Sequence, residues 1–425
     1  MEVPALQQML QVAYEFVNVS KVLEWLRWAG LHFDPFEPLD AAADTRLNEY
    51  LVGHHIFARV WGNVISWVFA PAGGGKTALR ISITQACWLG QETNRPFPIP
   101  YVPPFLSWGH SCPSLEDHLA AITRAGAISL FLALAHRPHW FFRLDREGRR
   151  RVYEALSWNL PAALSVYLER CRQARDVSAL RKALDPTFVI PNPPGADELL
   201  RWCDELDKAP DVVSPPSPLE RWKRMQELLL EVLGFPAVYI LADGFDGAPE
   251  TMANAEAVAR CLAPLVPSMG EWANRKIFFK SFLPLETEPV FEKRFPEVVI
   301  PERISTIQWT PALLAEVIRR RVYVASEGAF SSLDAVASPA LRDIETTLAK
   351  AVFPIPREIL VLTRRVLEEH VRREGSIGLL QEEDVEAAIY WYQAESKAKD
   401  FFACIGEPGR GTGEPRRFCS GRRVL

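Results

Sequence analysis

The sequence predicts an α/β fold: a parallel sheet sandwiched between helices, with a large, mostly helical insertion and a C-terminal helical lid. Three observations predict it. Apolar, β-rich runs at 64–69, 237–242 and 277–283, with a shorter one at 304–309, have the unbroken hydrophobicity of strands covered on both faces. Stretches with helical spacing separate these runs, the alternation that produces a parallel sheet. Beyond Trp309 the pattern is helical only.

At the start of the chain, apolar positions such as Leu6, Leu10, Phe16, Val22, Trp25 and Leu26 favour one or two short helices, an arm over 1–50 packed on the adjoining core. Asp34-Pro35 and Glu37-Pro38 break helix, and Ala41 to Leu51 resumes it. The α/β core is assigned to 51–105 and 233–310. Its first strand, Val64 to Phe69, runs into a glycine-rich turn and then a helix to Leu89. A second strand near Ile99 to Phe105 is weakened by its prolines. Residues 106–232 form the insertion, mostly helical, with the rigid proline-rich segments IPNPPG and SPPSP around a short helix at Asp197 to Leu206. The lid spans 311–400, with helices at Pro311 to Val324, Leu341 to Val352, Arg357 to Arg372 and Glu382 to Glu395. Residues 401–425 are expected to be disordered, and their last nineteen, rich in Gly, Pro and Arg, have a basic tail as the alternative.

Composition narrows the function. Of 425 residues, 48 are Lys or Arg and 53 are Asp or Glu, a net charge of −5 that gives no push toward a protein coating DNA. Seven cysteines stand without a CxxC pair, against both a disulfide scaffold and a zinc knuckle. The longest apolar stretch, Ala125 to Ala135, falls short of a membrane span, and no signal peptide is evident. A cytoplasmic protein without a membrane partner is expected.

The chemistry concentrates at Ala70-Pro-Ala-Gly-Gly-Gly-Lys-Thr77, between the first strand and its helix. Apart from Ala70 in place of the first glycine, this is a Walker A motif, GxxxxGK[ST], and the core is a P-loop NTPase three-layer sandwich. Gly73, Gly74 and Gly75 permit the tight turn that aims backbone N–H groups at phosphate, with Ala78 in the first helical turn. Lys76 pairs with the β- and γ-phosphates of ATP, and Thr77 holds Mg²⁺. The strand ending at Ala242 supplies Asp243 as the second metal-orienting group. Asp246 is the best substitute for an absent water-activating glutamate, and Glu250 is the weaker candidate. Ser281, with Lys280 beside it, fits a γ-phosphate sensor at the end of the next strand.

The order of these motifs resembles the AAA+ ATPases of the origin-recognition-like and STAND (NACHT-like) branch. DGFDG at 243–247 resembles that branch's DGxDE form, and FFKSFLP at 278–284 looks like its sensor-1 strand. ISTIQWTPALLAEVIRRRV is similar to the link into the lid, and LLQEEDVEAA resembles a lid helix. Pro356-Arg357 looks like the sensor-2 pair, which implies that Arg357 touches nucleotide. The lead-in AGLHFDPFEPLDAAAD resembles the NPF box of bacterial transposition and secretion ATPases. The resemblance also implies adenine over guanine, supported by the absence of an NKxD-type signal, and an arginine donated by a neighbouring subunit. Arg294 and Arg303 stand where such a residue belongs; Arg319, Arg320 and Arg321 are runners-up.

The expected function is an ATP-binding, ATP-hydrolysing switch that controls homo-oligomerisation or binding of a protein partner or separate effector. Bacterial conflict or defence signalling is implied by the resemblance alone. Two rivals stand beside it: a DNA-handling ATPase, such as a transposition regulator or loader, and a non-hydrolysing scaffold with bound nucleotide. The departures are Ala70, glycines at 244 and 247 where the family has acids, and the long stretch between Lys76 and Asp243.

Overall fold

The computed structural model describes residues 19–90, 92–109, 113–208 and 214–405, with side chains to 396. Five strands form one parallel sheet: β1 Ser66–Ala70, β2 Phe97–Tyr101, β3 Val238–Ala242, β4 Ile277–Pro284 and β5 Ile304–Thr306. Their order is β2-β3-β4-β1-β5, so β4 lies between the strand leading to the glycine loop and the strand leading to Asp243. The second strand spans 97–101 rather than 99–105. Pro98 and Pro100 are tolerated because β2 is an edge that pairs only with β3.

Alternate residues of each strand face opposite layers. Val68, Ala70, Tyr239, Leu241, Phe278 and Phe282 pack against α2 (Lys76–Trp88) and a short helix at Ile56–Val60. Trp67, Phe69, Ile99, Ile240 and Phe279 face the other way. There they share one continuous core with the helices of the long β2-to-β3 crossover, the segment read as an insertion. α3 (Leu115–His136) lies on β2 and against α4 (Arg146–Asn159) and α5 (Pro218–Glu227). At 22 residues, α3 is long and apolar enough to cross a membrane, against the sequence expectation. Its most apolar window is 72% buried, and it is a core helix of the sandwich.

Lys280 anchors the sheet from beneath. Its Nζ donates to the carbonyls of Val60 (2.6 Å), Gly62 (2.9 Å) and Val64 (3.2 Å), matching the three donors of an ammonium. Burial pushes its pKa down to about 7, against a smaller opposing influence of the Cys87 thiol.

The C-terminal helices α6 (Pro311–Ala325), α7 (Ile344–Ala351), α8 (Pro356–Arg373) and α9 (Glu382–Ile405) form a second core. Helix α1, over 19–28, packs here too, against the opposite end of the chain rather than on the sheet. Trp25 is fully buried and its Nε1–H donates to the Gly378 carbonyl at 2.9 Å. Within this core Asp384 accepts both Arg373 and the His370 ring (2.7 and 3.0 Å). α9 continues to Ile405, into the stretch expected to be disordered; 1–18 and 406–425 lie outside the described residues.

Candidate functional site

β1 ends at Ala70, and a five-residue glycine loop carries the chain into Lys76, the first residue of α2. Gly73 and Gly75 have φ of 75° and 93°, the left-handed region that side chains disfavour. Both also lie under other elements. A Cβ on Gly73 would stand 2.7 Å from Cβ of Arg357, and one on Gly75 would stand 3.3 Å from the Trp309 ring. The Arg357 N–H points at the Gly73 carbonyl (3.4 Å), and Trp309 Nε1–H donates to that of Gly74 (2.9 Å). Ala70 is the last residue of β1 and is not left-handed, so no glycine is required there.

The charged groups gather beside this loop. Lys76 is 7% exposed, and its Nζ lies 3.2 Å from the Ala70 carbonyl, 3.4 Å from that of Pro71 and 3.6 Å from Asp246 Oδ2. Thr77 Oγ1 donates to Asp243 Oδ2 at 2.8 Å, across a sequence separation of 166. The Gly244 N–H donates to Oδ1 of the same carboxylate (2.9 Å), and Arg80 Nε donates to Oδ2 (3.2 Å). The first turn of α2 adds the positive end of a 13-residue helix.

The glycine loop, Lys76, Thr77, Asp243 and Asp246 form one side of a cavity of about 280 Å³, and Arg80 is not part of its lining. The rest comes from three distant parts of the chain: the lead-in at 39–54, Ile307 and Trp309 after β5, and Val317, Arg321, Arg357 and Leu360 of the C-terminal helices. Leu39, Leu51, Val52 and Leu360 make part of its wall apolar. The lead-in is fixed by buried polar contacts. Asp44 accepts the Tyr50 hydroxyl (2.5 Å) and Arg321 (3.1 Å), whose guanidinium lies over the Tyr50 ring. Arg364 pairs with Asp34 at 2.9 Å and with Glu37. At His54, Nδ1 accepts the Ile56 N–H, which leaves Nε2 to donate to Gln308; burial lowers its pKa.

Gly73, Gly74, Gly75, Lys76, Thr77, Ala78, Asp243, Asp246 and Arg357 all line this cavity. Glu250 is exposed and does not line it. Ser281 is buried within β4, level with Trp67 and Ala242 and below Pro284, which is level with Ala70. It therefore stops short of the cavity, and Lys280 turns toward the opposite end of the sheet. Arg294 lies 3.7 Å from Glu256, away from this chain's own cavity. Arg321 is 5% exposed and is committed to Asp44 and Pro35, so it is not available to a neighbouring subunit.

Sequence reasoning missed Arg80, Trp309, Asp44 and Tyr50. Arg80 carried a signal: it stands four residues after Lys76, one turn along the same helical face. The other three act through contacts between segments far apart in sequence, which spacing does not encode.

The residues fit a nucleoside triphosphate: backbone donors and a lysine, with apolar wall in the same cavity. They fit a divalent cation less well. Thr77 and Asp243 are together, but the carboxylate oxygen that they share already accepts a buried guanidinium. Among the described residues no three His, Cys, Asp or Glu side chains cluster as a metal site. No protein-family model, curated protein or solved structure matches the chain.

Proposed function

We propose that this cavity binds ATP and that binding fixes the C-terminal helices against the sheet, making the chain a nucleotide-dependent switch for self-assembly or partner binding. One observation carries the reading: Arg357, in the first turn of α8, packs directly on Gly73 inside the cavity. A ligand on the glycine loop thus touches the sheet and the C-terminal core at once, and its differential contacts can shift their arrangement.

Lys76 and the loop N–H groups receive phosphate, and Arg357, which has no carboxylate partner among the described residues, adds a second cation. The apolar wall of Leu39, Leu51, Val52 and Leu360 suits a flat base. ATP supplies the phosphoanhydride whose cleavage would reset the switch. Asp246, in the cavity wall, is the candidate to orient water, and its ion pair with Lys76 at 3.6 Å competes with that role. Slow turnover is expected. The same pairing favours, as a second reading, a scaffold that retains nucleotide without hydrolysing it.

The DNA-handling reading has less support. Arg150 and Arg151 are paired with Glu147 on their own helix, Arg320 with Glu316, and Arg321 is internal. Few of these charges remain to release counterions from a phosphate backbone.

The test is light-scattering mass in ADP, ATP and a non-hydrolysable analogue, with calorimetry for affinity. Wild type should bind ATP and change mass or partner affinity between nucleotides, while Lys76→Ala should lose binding by about 100-fold, the order of one charged contact pair. An unchanged assembly in all three nucleotides, with ATP bound, would leave only the scaffold.

A further inference from the structure

The least expected contact beside the cavity is the one that Asp243 of its lining makes with the buried Arg80. Both side chains are buried, 6% and 5% exposed, and they meet at 3.2 Å. Oδ2 of Asp243 accepts this guanidinium together with the Thr77 hydroxyl, and Oδ1 accepts the Gly244 N–H. The carboxylate is therefore already neutralised by a fixed cation from α2, one helical turn beyond the residue that would face phosphate. In a buried pair water and salt screen little. A divalent cation approaching Thr77 and Asp243 would meet a carboxylate whose charge is spent and a like charge in contact with the same oxygen.

We propose that Arg80 makes nucleotide binding at this site insensitive to divalent cations, its guanidinium taking the electrostatic place at Asp243 that a metal would otherwise fill. This rests on the nucleotide reading above and deepens it. Asp243 then serves to hold Thr77 and Arg80 rather than to recruit a metal, and Lys76, Arg357 and the loop N–H groups balance the phosphate charge. Arg80 is a positioning residue that acts through Asp243.

Calorimetry of ATP binding to the full chain, in magnesium chloride and in excess EDTA, tests it. The two wild-type dissociation constants should agree within about threefold, whereas Arg80→Gln, which keeps a hydrogen-bond donor but removes the charge, should lose about tenfold or more in EDTA. A wild-type loss of that size in EDTA overturns the proposal, as does an Arg80→Gln protein as indifferent to metal as wild type. Removing one partner of a buried pair can unfold a protein, so manganese EPR on the wild-type ATP complex gives a second readout. A spectrum of Mn²⁺ held by ATP alone supports the proposal. A protein-bound Mn²⁺ signal that disappears in Thr77→Ala overturns it. Failure of wild type to bind ATP under either condition is a separate result: it removes the nucleotide reading itself, and this inference with it.

Discussion

Gly73 shows how much depends on a single missing side chain. Its left-handed backbone and the Arg357 side chain above it both exclude a Cβ. Gly73→Ala should cost about 1–3 kcal/mol from backbone strain alone. The clash should also push α8 off the loop. Thermal unfolding reads the first effect, and a weakened ATP affinity with Lys76 intact reads the second. A mutant with wild-type Tm and affinity would mean that the loop and α8 separate freely. At this scale the sequence was most informative about the glycine loop and Lys76, because their placement is set by local backbone. It was least informative about Arg80, whose role depends on a carboxylate 163 positions away.

Among elements, β4 and the C-terminal core carry pH predictions of the same sign in different ranges, one basic and one acid. Lys280 has a folded-state pKa lowered to about 7, so above that pH the unfolded chain binds more protons and stability rises with pH until the unfolded lysine also titrates. From about pH 7.5 to 9.5, wild type should gain about 1 kcal/mol per pH unit relative to Lys280→Met, read from urea midpoints. Parallel pH curves for the two proteins would show that Lys280 stays charged on its three carbonyls. Asp384 works in the acid range. Burial raises its pKa, but the hydrogen bonds from Arg373 and His370 outweigh that and hold it down at about 2. Its contribution is present above about pH 4 and fades as pH falls toward 2. Asp384→Asn should cost about 2 kcal/mol at neutral pH, and the difference from wild type should shrink with acidification. The strands themselves were legible, β3 and β4 nearly to the residue, because burial on both faces leaves an unbroken apolar run. β2 and the lead-in were not: prolines hide an edge strand, and Ala41 to Leu51 yields only a four-residue helix, Leu47–Tyr50, held by Asp44 and Arg321.

The lead-in, the glycine loop and the C-terminal helices meet around the cavity. The lead-in straps the C-terminal helices through Arg321 and Arg364, packs Leu47 and Tyr50 on Ile81 of α2, and lines the cavity. ATP at 100 times its dissociation constant should stabilise the chain by about 2.7 kcal/mol. Hydrogen exchange should slow at 356–373 and at 44–54 together. Arg357→Ala should keep slowing in the glycine loop and lose it in α8. If α8 is protected equally in the variant, Arg357 does not couple the two cores. Trp25→Ala, which empties a fully buried site in the second core, should cost about 3–5 kcal/mol and loosen the C-terminal helices before the sheet.

The sequence by itself determined the buried strands of the sheet, the glycine loop and the acid beside it, because a buried strand, a left-handed turn and a strand-ending carboxylate are each written in a few adjacent residues. Only the tertiary structure decided what these residues touch. It placed the N-terminal helix on the C-terminal core, joined the 106–232 helices to the sheet's own core, turned Lys280 away from the cavity and set Arg80 on Asp243. Those choices come from which apolar faces and which charges find one another when the chain closes, and residues far apart in sequence make them.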